Sequence, residues 1–209
     1  GRDYIKAVEL LQEALGEKLS GLIIGQNGKS STLNAWLPSA VLGTKVVDAV
    51  GDMRAHPTGD MGSIGMAGSP RQMIQTAAGG NRAENRYIEL VVKGATAKIS
   101  PILRTASDMS GGFIASCRNP LRAKYVRDNA ALGGISLALQ LGEAIIEAER
   151  KGGSAVIDAI VKTTGGMIAA QGTVTKKDLV YTKEAFDTGR FVLGEGDGAI
   201  TIHTMNEYM

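Results

Sequence analysis

Two short apolar strands flank a helix near the start of the chain, and this arrangement limits the possible folds more than any other feature. The run 19–24 reads as a buried strand, the turn 25–29 follows it, and hydroxyl side chains after the turn can cap a helix that runs to about Leu42. A second strand follows over 45–49. A strand, a helix and a strand within about thirty residues form a βαβ unit with parallel strands and a right-handed crossover. The sequence therefore predicts an α/β fold with a βαβ-containing parallel or mixed sheet and flanking helices.

The rest of the chain divides into a mixed part and a β-rich part at about residue 166. Apolar residues at helical spacing predict further helices over 3–16, 69–78, 100–109, 134–151 and 154–163. Apolar runs predict strands over 87–92 and 113–116, and the basic segment 119–128 is typical of a turn. Alternating apolar residues predict four short strands over 167–175, 179–182, 186–193 and 199–204. We therefore expect an α/β domain over 1–165, followed by an antiparallel β segment over 166–209.

Charge and composition argue against several classes of partner. The chain has 23 Lys and Arg and 21 Asp and Glu, a net charge of +2, and its basic residues do not cluster into an arm or stripe. Neither nucleic acid nor an anionic membrane is therefore an expected partner. No apolar run reaches the length of a membrane-spanning helix. Cys117 is the only cysteine, so no intrachain disulfide can form, which favours a cytoplasmic setting. We expect a small-molecule ligand, together with a second copy of the chain or a partner subunit.

A glycine-rich loop after the second strand carries an unusual density of reactive side chains. Asp48 lies on the strand, and Asp52, His56 and Asp60 follow it. We expect these four residues to line one pocket, where carboxylates and a histidine can bind a divalent metal or move protons. Their spacing identifies no particular metal, so the cofactor stays open. In the alternative interpretation, Asp48 and Arg54 form a structural ion pair that offsets the desolvation of the carboxylate.

Three further positions have both a functional and a structural interpretation. The segment Gly28-Lys29-Ser30 is similar to part of a phosphate-binding loop, but Ile23 stands where that motif requires its first glycine. Gly28 therefore lies either in an ordinary turn or where helix amides receive a carboxylate or deprotonated amide of a ligand. Met61 can form an adaptable pocket wall. Cys117 precedes an arginine that would favour a thiolate, but we expect a small buried apolar residue rather than a nucleophile.

Short motifs follow one another along nearly the whole chain in an order that is typical of one family. They are Leu33-Asn34-Ala35-Trp36-Leu37-Pro38, Val46-Val47-Asp48-Ala49, Arg54-Ala55, Gly79-Gly80-Asn81, Gly134-Ile135-Ser136-Leu137-Ala138-Leu139 and Thr164-Gly165-Gly166. In these motifs the chain resembles the S-methyl thiohydantoin desulfurase-like family, and specifically a middle portion of its longer members. Val50 and Thr58 stand where those members usually carry acidic residues, so the acids of this chain are shifted.

The resemblance implies a hydrolase that acts on a small cyclic amide of the hydantoin or thiohydantoin type and releases methanethiol from an S-methyl thiohydantoin. Asp48 or His56 would activate the water, and Arg54 would stabilise negative charge that develops on the ring. The expected ligand-binding residues are Gly28, Asn34, Asp52, Asp60 and Met61. Genes of this family often lie beside those of hydantoinase and oxoprolinase enzymes. The alternative is therefore a non-catalytic binding or accessory module of a hydantoinase-type system.

Overall fold

The computed structural model describes residues 1–28, 30–54, 64–66, 68–181 and 186–207. These residues form two compact units, of which the first extends to Ile135 and the second begins at Ser136. Both units contain helices and strands, which confirms the predicted α/β class. The expected domain boundary after residue 165 stays a prediction. No helix in the described part of the chain combines the length and the apolar character that crossing a membrane requires.

The elements of the first unit are α1 (Arg2–Leu15), β1 (Gly21–Gln26), α2 (Trp36–Leu42), β2 (Lys45–Asp52), β3 (Gln72–Gly79), β4 (Ile88–Ala95), α3 (Thr96–Ser110), β5 (Ala115–Arg118), α4 (Ala123–Asn129) and β6 (Ala131–Leu132). Helix α5 (Gly134–Glu149) begins at the end of this unit. The elements that follow are α6 (Gly153–Thr164), β7 (Val174–Tyr181), β8 (Phe186–Leu193) and β9 (Ile200–Glu207). The helices predicted over 3–16, 134–151 and 154–163 are thus confirmed as α1, α5 and α6.

The first sheet has the strand order β1-β2-β6 and contains the predicted βαβ unit. Strands β1 and β2 run parallel, with Gln26 opposite Asp52, and α2 lies between them in the chain. Strand β6 pairs with β2 in the antiparallel direction, so the sheet is mixed. Buried apolar residues of this sheet, of α1 and of the start of α5 form one core cluster, which includes Val8, Leu22, Ile24, Val50 and Ile135. The carboxyl ends of β1 and β2 therefore lie side by side above a packed core.

The second sheet has the order β4-β3-β5, with β3 antiparallel to both neighbours. The helix predicted over 69–78 is wrong, because most of this segment is the central strand β3. A strand that is covered on both faces lacks the apolar-polar alternation that identifies a half-exposed strand, and all residues from Gln75 to Gly79 are buried. The buried amide of Gln75 donates from Nε2 to Ser100 Oγ at 3.1 Å and to Asn119 Oδ1 at 3.0 Å.

Two other segments differ from their predicted structure. The basic segment 119–128 contains helix α4 rather than only a turn, because Tyr125 and Val126 pack against a buried cluster that includes Ile64 and Met73. The strand predicted over 167–175 begins only at Val174, the first residue of β7. For α4, contacts made elsewhere in the fold override the local pattern, whereas nothing in the structure explains the late start of β7.

The antiparallel segment predicted for the end of the chain is confirmed by the sheet β7-β8-β9 of the second unit. Asp178 of β7 faces Arg190 of β8, with 2.7 Å between Arg190 Nε and Asp178 Oδ2. The Arg190 hydrogen bond lowers the pKa of Asp178 below its usual value. This exposed pair marks the register between the two strands.

Candidate functional site

Asp48 connects strand β2 to the start of helix α5. Its Oδ1 accepts a hydrogen bond from the Ile135 amide at 2.9 Å, and its backbone carbonyl accepts one from the Gly133 amide at 2.9 Å. The first amides of a helix lack partners within the helix, so the Asp48 carboxylate caps α5 from a distant part of the chain. The residue is exposed, whereas Ala49, Val50 and Gly51 after it are buried. Asp48 therefore presents an exposed carboxylate midway along β2, beside the start of α5.

Asn27 lies beside this cap and is a residue that the sequence analysis missed. Its Nδ2 donates to the Gly134 carbonyl at 3.0 Å, and its backbone amide donates to the Asp52 carbonyl at 3.1 Å. Its Oδ1 is buried, and no hydrogen-bond partner for it exists among the described residues. The signal that could have identified Asn27 is its position directly after β1, at the edge where α/β sheets bind ligands.

Gly28 and Asn34 follow β1 and have local partners. The Gly28 amide donates to Thr32 Oγ1 at 3.2 Å, and that hydroxyl donates to the Gly28 carbonyl at 2.6 Å. This closed turn agrees with the structural interpretation of Gly28. The Asn34 side chain hydrogen-bonds Tyr4, whose pKa is raised by burial and lowered in part by this contact. Asn34 thus joins α1 to the turn that precedes α2.

The remaining predicted site residues follow β2 in the sequence. Arg54 is exposed two residues beyond the end of that strand. His56, Asp60 and Met61 lie outside the described residues. The structure therefore brings Asp48 and Asn27 together at the start of α5, where Asn27 also bonds the backbone of Asp52, and the wider pocket with the residues after β2 stays a prediction.

Metal binding and thiol chemistry find no structural support in the described part of the chain. Its histidine, cysteine and acidic residues form no group of three or more that could hold a metal ion. Cys117 lies on β5 and packs against the core clusters around α1. Burial raises the pKa of its thiol to about 12, so the thiol stays protonated at neutral pH. This agrees with the expectation that Cys117 is a structural residue.

An open groove between the start of β3 and helix α4 is a second feature that the sequence analysis missed. It has a volume of about 570 Å³. Three cationic side chains line it, namely Arg71, Arg122 and Lys124, together with the carboxylate of Asp128. The lining residues come from two segments that are about fifty residues apart in the sequence, so only the tertiary pairing of the strands reveals the groove.

The fold of the chain is similar to that of a solved protein structure. A crystal structure of a protein from Chromobacterium violaceum is similar to the chain with a TM-score of 0.61 and 22% sequence identity, over 97% of this chain and 54% of that one. At this identity the likeness concerns the fold alone, and the chain spans about half the length of that protein. No curated protein matches the chain.

Residues 95–209 match the model of a family domain described as S-Me-THD-like, C-terminal domain. The match begins at the end of β4, within the first unit, and continues to residue 209. It covers more than half of the chain. It agrees with the resemblance that the short motifs show. The chain therefore belongs to the S-Me-THD-like family.

Proposed function

We infer that the chain takes part in the hydrolysis of a small cyclic amide of the hydantoin or thiohydantoin type. The observation that carries this proposal is the accessible carboxylate of Asp48 at the N-terminus of α5, within a chain of the S-Me-THD-like family. Helix amides favour negative charge, and Asn27, directly after the carboxyl end of β1 where α/β proteins bind ligands, contacts the same helix start. A cytoplasmic setting is part of the same proposal, since Cys117 has no cysteine partner in the chain.

The proposed reaction is the attack of water on the ring carbon that bears an S-methyl group. A carbon–oxygen bond forms, the carbon–sulfur bond breaks, and a proton from the water passes to the sulfur, so that methanethiol leaves. Asp48 or His56 takes the proton from the water, and Arg54 stabilises the negative charge on the ring. Because Oδ1 of Asp48 already accepts the Ile135 amide, the carboxylate is held in a fixed orientation for this role.

Methanethiol release from an S-methyl thiohydantoin tests the proposal directly. Asp48→Asn keeps an oxygen that can accept the Ile135 amide and removes only the charge, and Arg54→Gln removes the cation. We expect each substitution to lower kcat by about 100-fold or more, the size typical of a lost acid–base or charge-stabilising group. Unchanged turnover in both variants would refute the proposal.

Matched controls come from the second unit. Asp158→Asn and Arg150→Gln make the same chemical changes at exposed positions on α6 and just after α5. Both controls should retain the activity of the unaltered protein. Circular dichroism of all four variants then separates a lost reaction from a lost fold.

A second candidate function is that of a binding or accessory module, and exposed apolar side chains in the second unit favour it. Leu139 and Ile146 are each 63% exposed on α5, and Ile157 is 49% exposed on α6. Leu139 and Ile146 are seven residues apart and so lie on one face of the helix. Exposed apolar faces of this kind are typical of surfaces that bind another protein.

Native mass spectrometry distinguishes the two functions. An accessory module predicts a stable oligomer or complex, no turnover, and dissociation when Leu139 and Ile146 are replaced by Ser. A monomer with turnover would favour the hydrolase alone. Lys162→Ser, at a polar position of α6, serves as the control for surface substitution.

A further inference from the structure

The groove between β3 and α4 has an excess of positive charge that the described residues do not neutralise. Arg71, Arg122 and Lys124 line it, and none of the three forms an ion pair within the part of the chain that the structure describes. Its one acidic side chain, Asp128, is already paired with Arg127, with 2.8 Å between Nε and Oδ1. The three unpaired cations therefore create a positive potential inside the groove.

Apolar groups form the other part of the lining. Met73 is buried at the start of β3, while Leu121 and Tyr125 are half-buried beside it. The guanidinium of Arg71 lies over the Tyr125 ring, 5.2 Å from its centroid, which is a cation–π distance. A volume of about 570 Å³ is within the range of small-molecule sites. The groove thus offers both an apolar surface and arginine forks that suit an oxyanion.

Hydrogen bonds hold both walls in place. Tyr125 donates its hydroxyl to the Ile64 carbonyl at 2.9 Å. On the other side, the buried side-chain amide of Gln75 donates to Asn119 Oδ1, and the backbone N–H of Asn119 donates to the Ile74 carbonyl at 2.9 Å. Asn119 directly precedes Pro120, which lines the groove. A wall that is fixed before a ligand arrives lowers the entropic cost of binding.

We propose that this groove binds a small organic oxyanion, a carboxylate or phosphate group attached to a compact apolar ring. Arg71 and Arg122 hold the oxyanion, Lys124 adds a third positive charge, and Tyr125 and Leu121 contact the ring. This binding site does not depend on the reaction proposed above, since none of the residues placed in that reaction lines the groove.

Isothermal titration of the full chain with three ring compounds tests the proposal. Benzoate and phenyl phosphate carry the two oxyanions, and benzamide is a neutral compound of the same shape as benzoate. We expect at least one oxyanion to bind with a Kd of about 1 mM or below, and benzamide to bind at least tenfold more weakly. The tighter of the two oxyanions identifies the group. Higher salt should weaken the binding, because salt screens the charges.

Variants then assign the binding to the groove. Arg71→Gln and Arg122→Gln should each weaken binding of the oxyanion by about tenfold or more, the loss typical of one charge-assisted hydrogen bond. Arg2→Gln, at an exposed position of α1 outside the groove, is the matched control and should bind as the unaltered chain does. The proposal is overturned if neither oxyanion binds, if benzamide binds equally well, or if both groove variants bind normally. Methanethiol release is not read in this experiment, so its result is independent of the hydrolase proposal.

Discussion

The carboxylate of Asp48 accepts the backbone amide of Ile135 across 87 residues of sequence. The same contact places the carboxylate at the positive end of α5, where a negative charge stabilises the helix. Asp48 therefore has a structural role that exists whether or not the residue acts on a substrate. Substitutions at this position must therefore distinguish the helix-capping role from the proposed role in the reaction.

Asp48→Ala should destabilise the protein by about 1 kcal/mol, within the 0.5–2 kcal/mol typical of a lost helix cap. Asp48→Asn keeps an acceptor for the Ile135 amide and should lose less than half of that amount. Urea denaturation of the three proteins measures the difference. Equal stability of Asp48→Ala and the unaltered chain would show that the cap contributes nothing.

Gln75→Leu should cost about 1–3 kcal/mol of unfolding free energy, because it leaves Ser100 and Asn119 buried without their donor. Gln72→Leu makes the same change three residues earlier, at an exposed position of β3. That control should lie within about 0.5 kcal/mol of the unaltered protein. Similar losses in both variants would mean that the strand, rather than the buried hydrogen bonds, responds to the substitution.

The stability of the protein should fall above pH 9 through Cys117. Burial raises the pKa of this thiol from 9.0 to about 12 in the folded chain, so the folded state keeps a proton that the unfolded state releases. The contribution is fully present below pH 9 and is lost as the pH rises toward 12, with a slope of about 1.4 kcal/mol per pH unit.

Cys117→Ala removes this slope, and urea denaturation on both sides of pH 9 compares the two proteins. Tyr4 and Tyr87, whose pKa values burial also raises, are present in both and cancel in the difference. Parallel stability curves for the two proteins would contradict the prediction.

Two glycines of the second unit should respond to alanine in opposite directions. At Gly189 of β8, a Cβ atom would collide with the Asp178 carbonyl and with Leu179 on the neighbouring strand, so Gly189→Ala should destabilise by about 1–3 kcal/mol. At Gly142, inside α5, a Cβ atom meets nothing within 4 Å. Gly142→Ala should therefore stabilise by about 0.5–1 kcal/mol, since alanine favours the helix. Thermal unfolding measures both shifts, and shifts of the same sign would contradict this account.

The sequence predicts the elements with a clear local pattern better than the strand that is buried on both faces. The amphipathic spacing of α1 and the parallel pairing of β1 with β2 follow from local patterns, and the structure has both. Strand β3 does not follow, because its burial comes from neighbours on both sides, and its polar residues Gln75 and Thr76 find partners only in the folded chain. Partners that are distant in the sequence cannot be predicted from a local pattern.

The candidate sites also differ in whether they follow from a local pattern or from tertiary pairing. The position of Asp48 on the second strand of the βαβ unit could be predicted, but the predicted strand ends at residue 49, whereas β2 continues to Asp52 and so places Asp48 in mid-strand. The groove could not, since Arg71 and Arg122 line one groove only when β3 pairs with β5 and the chain continues into α4. Because the segment 69–78 is predicted as a helix, the groove that its first residues line could not be predicted either.

Both sheets of the first unit combine strands from the two sides of residue 95, where the family domain begins. Strand β5 pairs with β3, and β6 pairs with β2, so the matched domain supplies edges to sheets whose other strands precede it. A polypeptide cut at that point would expose unpaired backbone along β5. In this protein the matched region 95–209 consequently does not contain either sheet of the first unit in full, and each of these sheets needs the strands that precede residue 95.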